Sequence, residues 1–106
     1  KMLLAYPSDK VFVVDEAYVD FADETALPLL SEFQNLVIVR TFSKSFSFAG
    51  MRLGYLLANP PLIEAIKRVK NSFNHFPVDV LAERAGIATC KDFSYYQNTV
   101  KKIKKT

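Results

Sequence analysis

The chain has 106 residues, of which 50% are hydrophobic and 24% are charged. This length allows at most one domain with a packed core, and the composition excludes a disordered protein. The net charge of +3 is small, and no aromatic-plus-arginine surface accompanies the lysines near the carboxyl end. We therefore predict no nucleic-acid partner. Binding to DNA or RNA would instead show an affinity that falls steeply as the salt concentration rises. The apolar runs are far shorter than the ~20 residues of a membrane span, so we predict no membrane partner.

Cys90 is the single cysteine of the sequence, which excludes an internal disulfide and a thiolate metal cluster. We predict no metal site, a reducing, cytoplasmic location, and a buried position for Cys90 on a helix. Residues 1–7 place a positive charge before a short apolar stretch but lack the apolar core and cleavage site of a signal peptide. Because the last helical pattern still continues at Thr106, we interpret residues 1–106 as a single partial domain, a fragment of a larger one.

Two short apolar runs predict strands. Residues 11–14 and 36–39 are continuous, largely β-branched stretches, typical of strands buried on both faces of a parallel sheet. Residues 27–33 between them predict a short helix that tolerates Pro28 in its first turn. Strand, helix and strand at this spacing indicate a right-handed crossover and parallel pairing. Residues 53–58 predict a third strand.

Three helices are predicted in the second half of the chain. Asn59 followed by two prolines is typical of a helix start, and residues 71–77 are predicted to break that helix. The predicted buried stripes are Leu62, Ile63, Ile66 and Val69; Val78, Leu81, Ala85 and Ala88; and Phe93, Tyr96, Val100 and Ile103. The predicted class is α/β.

Residues with chemical potential follow the ends of the first two strands. We call residues 15–21 the first segment and residues 41–55 the second segment. In open α/β sheets ligands collect outside the carboxyl ends of strands, so the two segments are predicted to face one pocket. The acidic residues Asp20, Asp23 and Glu24 are interpreted as a solvated loop rather than a metal site.

The second segment offers groups suited to a phosphate and a carbonyl compound. Thr41 and Ser43 can donate to a phosphate, and Arg52 can clamp one with two parallel hydrogen bonds. The amine of Lys44 is a candidate nucleophile for covalent carbonyl chemistry. Asp15 at the end of an apolar strand needs a cationic partner, and a protonated pyridine nitrogen would serve. Taken singly, each of these residues is better read as a loop charge or a strand-end cap, so the prediction depends on their conjunction.

The conjunction resembles a known family. The lysine at 44 within SKSF, with Arg52 eight residues later, resembles the lysine signature of class I and II aminotransferases, which are fold-type I enzymes dependent on pyridoxal 5'-phosphate. VVDEAY at residues 13–18 resembles their aspartate–tyrosine segment. TFSK at 41–44, AGMRLGY at 49–55 and RVKNSFN at 68–74 are especially similar to the histidinol-phosphate aminotransferases of histidine biosynthesis. The resemblance runs from about residue 11 to the end of the chain.

The resemblance implies a role for each matching residue. Lys44 would bind the cofactor covalently and, once released, move the proton at the substrate's α-carbon. Asp15 would pair with the pyridinium nitrogen, and Tyr18 would hydrogen-bond the cofactor's phenolic oxygen. Thr41, Ser43 and Arg52 would hold the phosphate.

The resemblance also has implications beyond these residues. It implies a fold of three layers around a mostly parallel sheet, as part of the large cofactor-binding domain, with the last helix leading toward a small domain. It further implies a homodimeric parent that exchanges amino groups between histidinol phosphate and 2-oxoglutarate. The isolated piece is expected to be inactive, because the substrate-gripping arginine and the small domain find no match in it.

One position departs from the family pattern, and other functions stay open. Residue 47 is serine where the family usually has glycine, and a positive φ there would cost on the order of 1 kcal/mol. An aromatic aminotransferase and a threonine-phosphate decarboxylase remain alternative activities. A noncatalytic domain that uses the fold alone is disfavoured, because Asp15, Lys44 and Arg52 are all present.

Overall fold

The structure is a computed structural model that describes Ala5 and residues 7–106. Most of the stretch in which we predicted no signal peptide, residues 1–4 and 6, lies outside the described residues. The strands are β1 (Phe12–Asp15), β2 (Leu36–Thr41) and β3 (Gly54–Ala58), and the helices are α1 (Pro60–Phe73), α2 (Val80–Lys91) and α3 (Phe93–Lys105). Short 3-10 helices occupy Val19–Phe21, Leu27–Ser31 and Ala49–Met51. Within this described part, no helix has the length and apolar character to cross a membrane.

The three strands form one mixed sheet in the order β1–β2–β3. β1 and β2 pair in parallel, with Phe12 opposite Leu36 and Asp15 opposite Val39, which confirms the predicted parallel pairing. β3 pairs with β2 in the antiparallel direction, so a mostly parallel sheet is not found in this piece. The predicted helix between β1 and β2 is a 3-10 helix that begins with Leu27 and Pro28. The α/β class is confirmed at this coarser level.

The core lies along β2, the central strand. Leu36 and Ile38 are completely buried and Val37 nearly so. β1 was predicted to be buried on both faces, and this is wrong for the described chain, because Val11 and Val13 are about half exposed. β1 is an edge strand, and no described element covers its outer face.

Helix α1 begins where the sequence predicts, but its cap works differently. Asn59 occupies the cap position, yet its side-chain amide donates to the carbonyls of Leu30 (2.9 Å) and Phe33 (3.3 Å). Asn59 thus ties the start of α1 to the crossover between β1 and β2. The helix continues to Phe73, past the predicted break at residue 71, since nothing before Asn74 forbids helical geometry.

Helix α2 buries a different face from the predicted one. Ala82, Gly86 and Thr89 are buried, whereas Leu81 is 74% exposed. The reason is close approach: a Cβ atom on Gly86 would lie 2.7 Å from a terminal carbon of Leu53. Small residues therefore face the core, and larger apolar residues of α2 point outward. The predicted burial of Cys90 is wrong, because Cys90 is exposed.

Helix α3 follows its predicted stripe more closely. Val100 is buried and Tyr96 is half-buried, while Phe93 and Ile103 at the two ends remain about half exposed. The rings of Phe93 and Tyr96 lie 6.1 Å and 5.3 Å from the ring of Phe46. The stripe therefore packs α3 against the second segment.

Candidate functional site

The carboxyl ends of β1 and β2 lie side by side. Asp15 pairs with Val39 in the parallel register, and Thr41 follows two residues later on the same strand. Because successive side chains of a strand point to opposite faces, Asp15, Val39 and Thr41 share one face of the sheet. The first and second segments start from this common edge, as predicted.

The first segment presents an exposed carboxylate and an exposed phenol. One carboxylate oxygen of Asp15 accepts a hydrogen bond from the amide of Ala17 at 2.9 Å, which orients the side chain at the strand end. Asp15, Tyr18 and Glu24 help to line an open depression of about 430 Å³. Both Asp15 and Tyr18 remain accessible to a ligand there.

Lys44 brings the two segments together. Its Nζ atom lies 5.0 Å from the centroid of the Tyr18 ring, within the range of a cation–π contact. Of the described carboxylates, none forms an ion pair with Lys44. The amine is exposed and lies beside Tyr18 at the depression, where it is accessible to a small molecule.

The predicted phosphate-binding residues are only partly assembled. The Thr41 hydroxyl accepts from the amide of Ser43 at 3.1 Å and donates to the carbonyl of Leu53 at 3.4 Å. Arg52 ends the short helix Ala49–Met51 and donates to the carbonyl of Ala49 at 3.2 Å. Thr41 and Ser43 therefore lie together, whereas the hydrogen bond of Arg52 is to its own turn.

Two residues of the second segment adopt left-handed backbone angles. Ser47 has φ 55° and Arg52 has φ 52°, and these are the positive-φ residues among the described non-glycines. Ser47 thus has the positive φ whose cost was considered from the sequence, and the positive φ at Arg52 was not foreseen. Each costs roughly 1–2 kcal/mol in a non-glycine residue. Strained backbone of this kind clusters at functional sites, where the surrounding structure over-determines it.

A hydrogen bond and a ring cluster fix the neighbours of Lys44. Ser45 is buried, and its hydroxyl donates to the carboxylate of Asp20. Phe46 is also buried, with its ring 5.1 Å from that of Phe42. The next acidic residue, Asp23, pairs with Lys104 of α3 at 2.7 Å. Asp20 and Asp23 therefore have protein partners, which the interpretation as a solvated loop did not anticipate.

Sequence reasoning missed an ion pair between a buried carboxylate and a half-buried guanidinium at the same edge. Arg40 donates through Nε (3.0 Å) and Nη2 (2.8 Å) to one carboxylate oxygen of Glu16. The Glu16 carboxylate also accepts from the hydroxyl of Thr25 (2.9 Å) and the amide of Ala26 (2.6 Å). Strand alternation was the available signal, because it places Arg40 on the same face as the fully buried Ile38. A cation on this face of β2 is partly removed from water, so an anion beside it is expected.

The pair remains charged at neutral pH. Burial raises the pKa of Glu16, but the amide of Ala26 and the guanidinium of Arg40 outweigh it and hold that pKa below the ordinary value. Burial likewise lowers the pKa of Arg40, and the hydrogen bonds to Glu16 reverse this and raise it. The edge of the sheet therefore contains a fixed ionic contact.

Comparisons with known sequences indicate one family. Residues 4–106 match the family model described as aminotransferase class I and II. A histidinol-phosphate aminotransferase of Gluconacetobacter diazotrophicus is 49% identical over 104 residues, which are 98% of this chain and 29% of that protein. The chain thus spans less than a third of the length of the curated relatives it matches.

Solved structures give the same indication. A crystal structure of histidinol-phosphate aminotransferase from Sinorhizobium meliloti, in complex with pyridoxal-5'-phosphate, matches with a TM-score of 0.81 and 34% identity. The match covers 94% of this chain and 27% of that one. A decarboxylase from Sulfurospirillum multivorans matches with a TM-score of 0.70 and 27% identity, over 90% of this chain and 28% of that one.

Replacing Ser47 by glycine tests the backbone strain. Ser47→Gly relieves the left-handed strain, and part of that gain is offset by the greater entropy of glycine in the unfolded chain. We expect the free energy of unfolding in urea to rise by about 0.5–1 kcal/mol. The control Ser94→Gly, at an exposed position of α3, should instead lower it by a few tenths of a kcal/mol. A Ser47→Gly protein no more stable than wild type would contradict the strain.

Acid sensitivity tests the Glu16–Arg40 pair. The pKa of Glu16 is lowered by folding, so its contribution is present above the ordinary value of 4.5 and is lost as pH falls below it. Glu16→Gln should cost about 1–3 kcal/mol at neutral pH, because it leaves the half-buried Arg40 unpaired, and should flatten the loss of stability as the pH falls below 4.5. Urea unfolding at several pH values measures both effects.

The matched control for the acid experiment is Glu64→Gln. Glu64 forms an exposed pair with Lys67 within one helix, so its replacement should change stability by less than about 0.5 kcal/mol. Its pH profile should follow that of the wild type. A Glu16→Gln profile as steep as wild type would show that Glu16 does not titrate through the pair.

Proposed function

The chain belongs to the aminotransferase class I and II family, and on that premise we propose that it carries the cofactor-binding lysine, Lys44, of a pyridoxal-phosphate-dependent aminotransferase. The observation that carries the proposal is the contact of Lys44 with Tyr18 at the carboxyl ends of β1 and β2. This contact joins the lysine of one family motif to the tyrosine of the other. Each motif alone would be a weak indication.

The side chains at this edge fit the chemistry of pyridoxal phosphate. The cofactor has an aldehyde, a basic ring nitrogen, a phenolic oxygen and a phosphate, and each requires a different partner. The edge supplies an exposed amine, an exposed carboxylate and a phenol from Lys44, Asp15 and Tyr18. Hydroxyls from Thr41 and Ser43 and the guanidinium of Arg52 complete the donor set. When bound, the cofactor supplies an electron sink for a carbanion at the substrate's α-carbon.

Each of the three exposed side chains has a role that follows from its chemistry. Lys44 would hold the cofactor through its amine, and the same amine would move the proton at the substrate's α-carbon. Asp15 keeps the ring nitrogen protonated through a charge-assisted hydrogen bond. Tyr18 donates to the phenolic oxygen, and its ring face holds the Lys44 amine at the edge of the sheet.

Thr41, Ser43 and Arg52 are the proposed phosphate-binding residues. Thr41 and Ser43 lie next to each other. The Ser43 hydroxyl can donate to a phosphate, and the Thr41 hydroxyl can do so once it leaves the Leu53 carbonyl, to which it donates at 3.4 Å. Arg52 has an exposed guanidinium with only one hydrogen bond among the described residues, to the carbonyl of Ala49. Its fork geometry suits a phosphate, and the left-handed turn beneath it sets the direction in which the side chain leaves the backbone.

We further propose that residues 1–106 are one part of the large domain of a longer, homodimeric, cytoplasmic enzyme with a three-layered, mostly parallel sheet. The relatives are more than three times as long as the matched region. Exposed apolar side chains on and between α1 and α2, among them Phe73, Phe76 and Leu81, support a missing packing partner. The substrates and full turnover then belong to that longer enzyme and not to this piece alone.

The proposed reaction is amino-group exchange between histidinol phosphate, which the names of the similar sequences contain, and 2-oxoglutarate, which the family resemblance implies. A second candidate is decarboxylation of a phosphorylated amino acid, which the structural likeness to a decarboxylase favours. The two reactions require the same cofactor and the same lysine. They differ in which bond at the α-carbon is cleaved, and so in whether carbon dioxide is released.

Covalent labelling tests the role of Lys44. The full-length polypeptide that carries this chain is mixed with pyridoxal phosphate and reduced with borohydride, and the modified peptide is mapped by mass spectrometry. We expect a single stoichiometric label on Lys44, and none in Lys44→Ala. The control Lys67→Ala removes an exposed lysine of α1 and should retain the full label. A label spread over surface lysines, or one that survives in Lys44→Ala, would refute the proposed cofactor site.

A further inference from the structure

The Glu16–Arg40 pair lies directly behind the proposed cofactor residues. Glu16 follows Asp15 in the chain, and Arg40 precedes Thr41. Since side chains alternate along a strand, Glu16 and Arg40 point to the face opposite Asp15 and Thr41. They continue the buried row of Ile38 and bind each other, whereas the side chain of Asp15 is exposed.

We propose that Glu16 and Arg40 are positioning residues for the cofactor site. They fix the carboxyl ends of β1 and β2 relative to each other, and so set where Asp15 and Lys44 stand around a bound cofactor. This inference rests on the proposed function, because it assigns the pair a task in that same site.

The connections of the pair support a positioning role. Glu16 accepts hydrogen bonds from Thr25 and Ala26 of the loop after the first segment, and Arg40 also donates to the hydroxyl of Thr25 at 2.9 Å. One ionic contact thus links the carboxyl ends of β1 and β2 to the loop at Thr25 and Ala26.

The backbone at this point needs such a link. β1 is an edge strand of four residues, and its last backbone contact with β2 is the hydrogen bond from the amide of Glu16 to the carbonyl of Val39, at 2.8 Å. Beyond this hydrogen bond the two strands separate and continue as the first and second segments. The planar guanidinium of Arg40 fixes the geometry at which the two strands separate. The flexible ammonium group of a lysine would fix it less well. Supporting shells of this kind maintain a reactive group within a fraction of an ångström.

The rate at which Lys44 forms its covalent link to the cofactor tests the proposal. It is measured by stopped-flow absorbance in the full-length polypeptide at saturating pyridoxal phosphate, at a temperature where circular dichroism shows each variant folded. The key variant is the double replacement Glu16→Leu with Arg40→Met, because apolar residues of similar volume commonly restore the stability of a buried ion pair. We expect the double variant to melt near wild type yet form the link about tenfold more slowly, since small misplacements of a reactive group have effects of this size or larger.

Two further variants sharpen the experiment. Arg40→Lys retains the charge but loses the fork, so its rate should lie between those of the wild type and the double variant. Lys104→Met breaks the exposed pair with Asp23 and should leave the rate unchanged.

The outcomes separate the inference from the function on which it rests. A folded double variant with the wild-type rate, or Arg40→Lys indistinguishable from wild type, would show that the pair contributes stability alone and would overturn the inference. A wild-type protein that forms no link at Lys44 would overturn the proposed function, and the positioning role with it.

Discussion

Two charged side chains extend the buried rows of β1 and β2 beyond their apolar residues, and the geometry of the site depends on their contact. Glu16 is buried and Arg40 is half-buried, so the loss of either partner leaves a poorly solvated charge without its counterion. Their contact fixes where the two segments leave the sheet. The exposed carboxylate, phenol and amine on the opposite face inherit their spacing from it. The Glu16–Arg40 contact thus affects both the stability of the fold and the geometry of the proposed cofactor site.

The placement of the candidate residues could be predicted from sequence, because they occupy fixed places relative to strand ends. The apolar runs before Asp15 and Thr41 locate β1 and β2, and parallel strands bring their carboxyl ends to one edge. The contact between Tyr18 and Lys44 follows from that arrangement. The strained turn at Ser47 could also be inferred from sequence, since a serine occupies the position at which the family pattern has glycine.

The remaining features depend on tertiary contacts that periodicity does not encode. The antiparallel direction of β3 results from the turn between β2 and β3, which includes two left-handed residues, Ser47 and Arg52. Helix α2 turns small residues inward because Gly86 lies against Leu53, and a stripe of larger apolar residues gives the opposite prediction. The partner of Arg40 comes from a strand 24 residues earlier, so local spacing could not identify it.

The most direct test of amino-group transfer is a single-turnover experiment with the full-length polypeptide and stoichiometric pyridoxal phosphate. Glutamate is added, and 2-oxoglutarate and carbon dioxide are quantified per cofactor. The account predicts about one equivalent of 2-oxoglutarate, as expected for the first half of a ping-pong exchange, and none from Lys44→Ala or from residues 1–106 alone. Subsequent addition of imidazole-acetol phosphate should yield histidinol phosphate. Carbon dioxide in place of the oxo acid, or no product from the wild-type protein, would contradict the assignment.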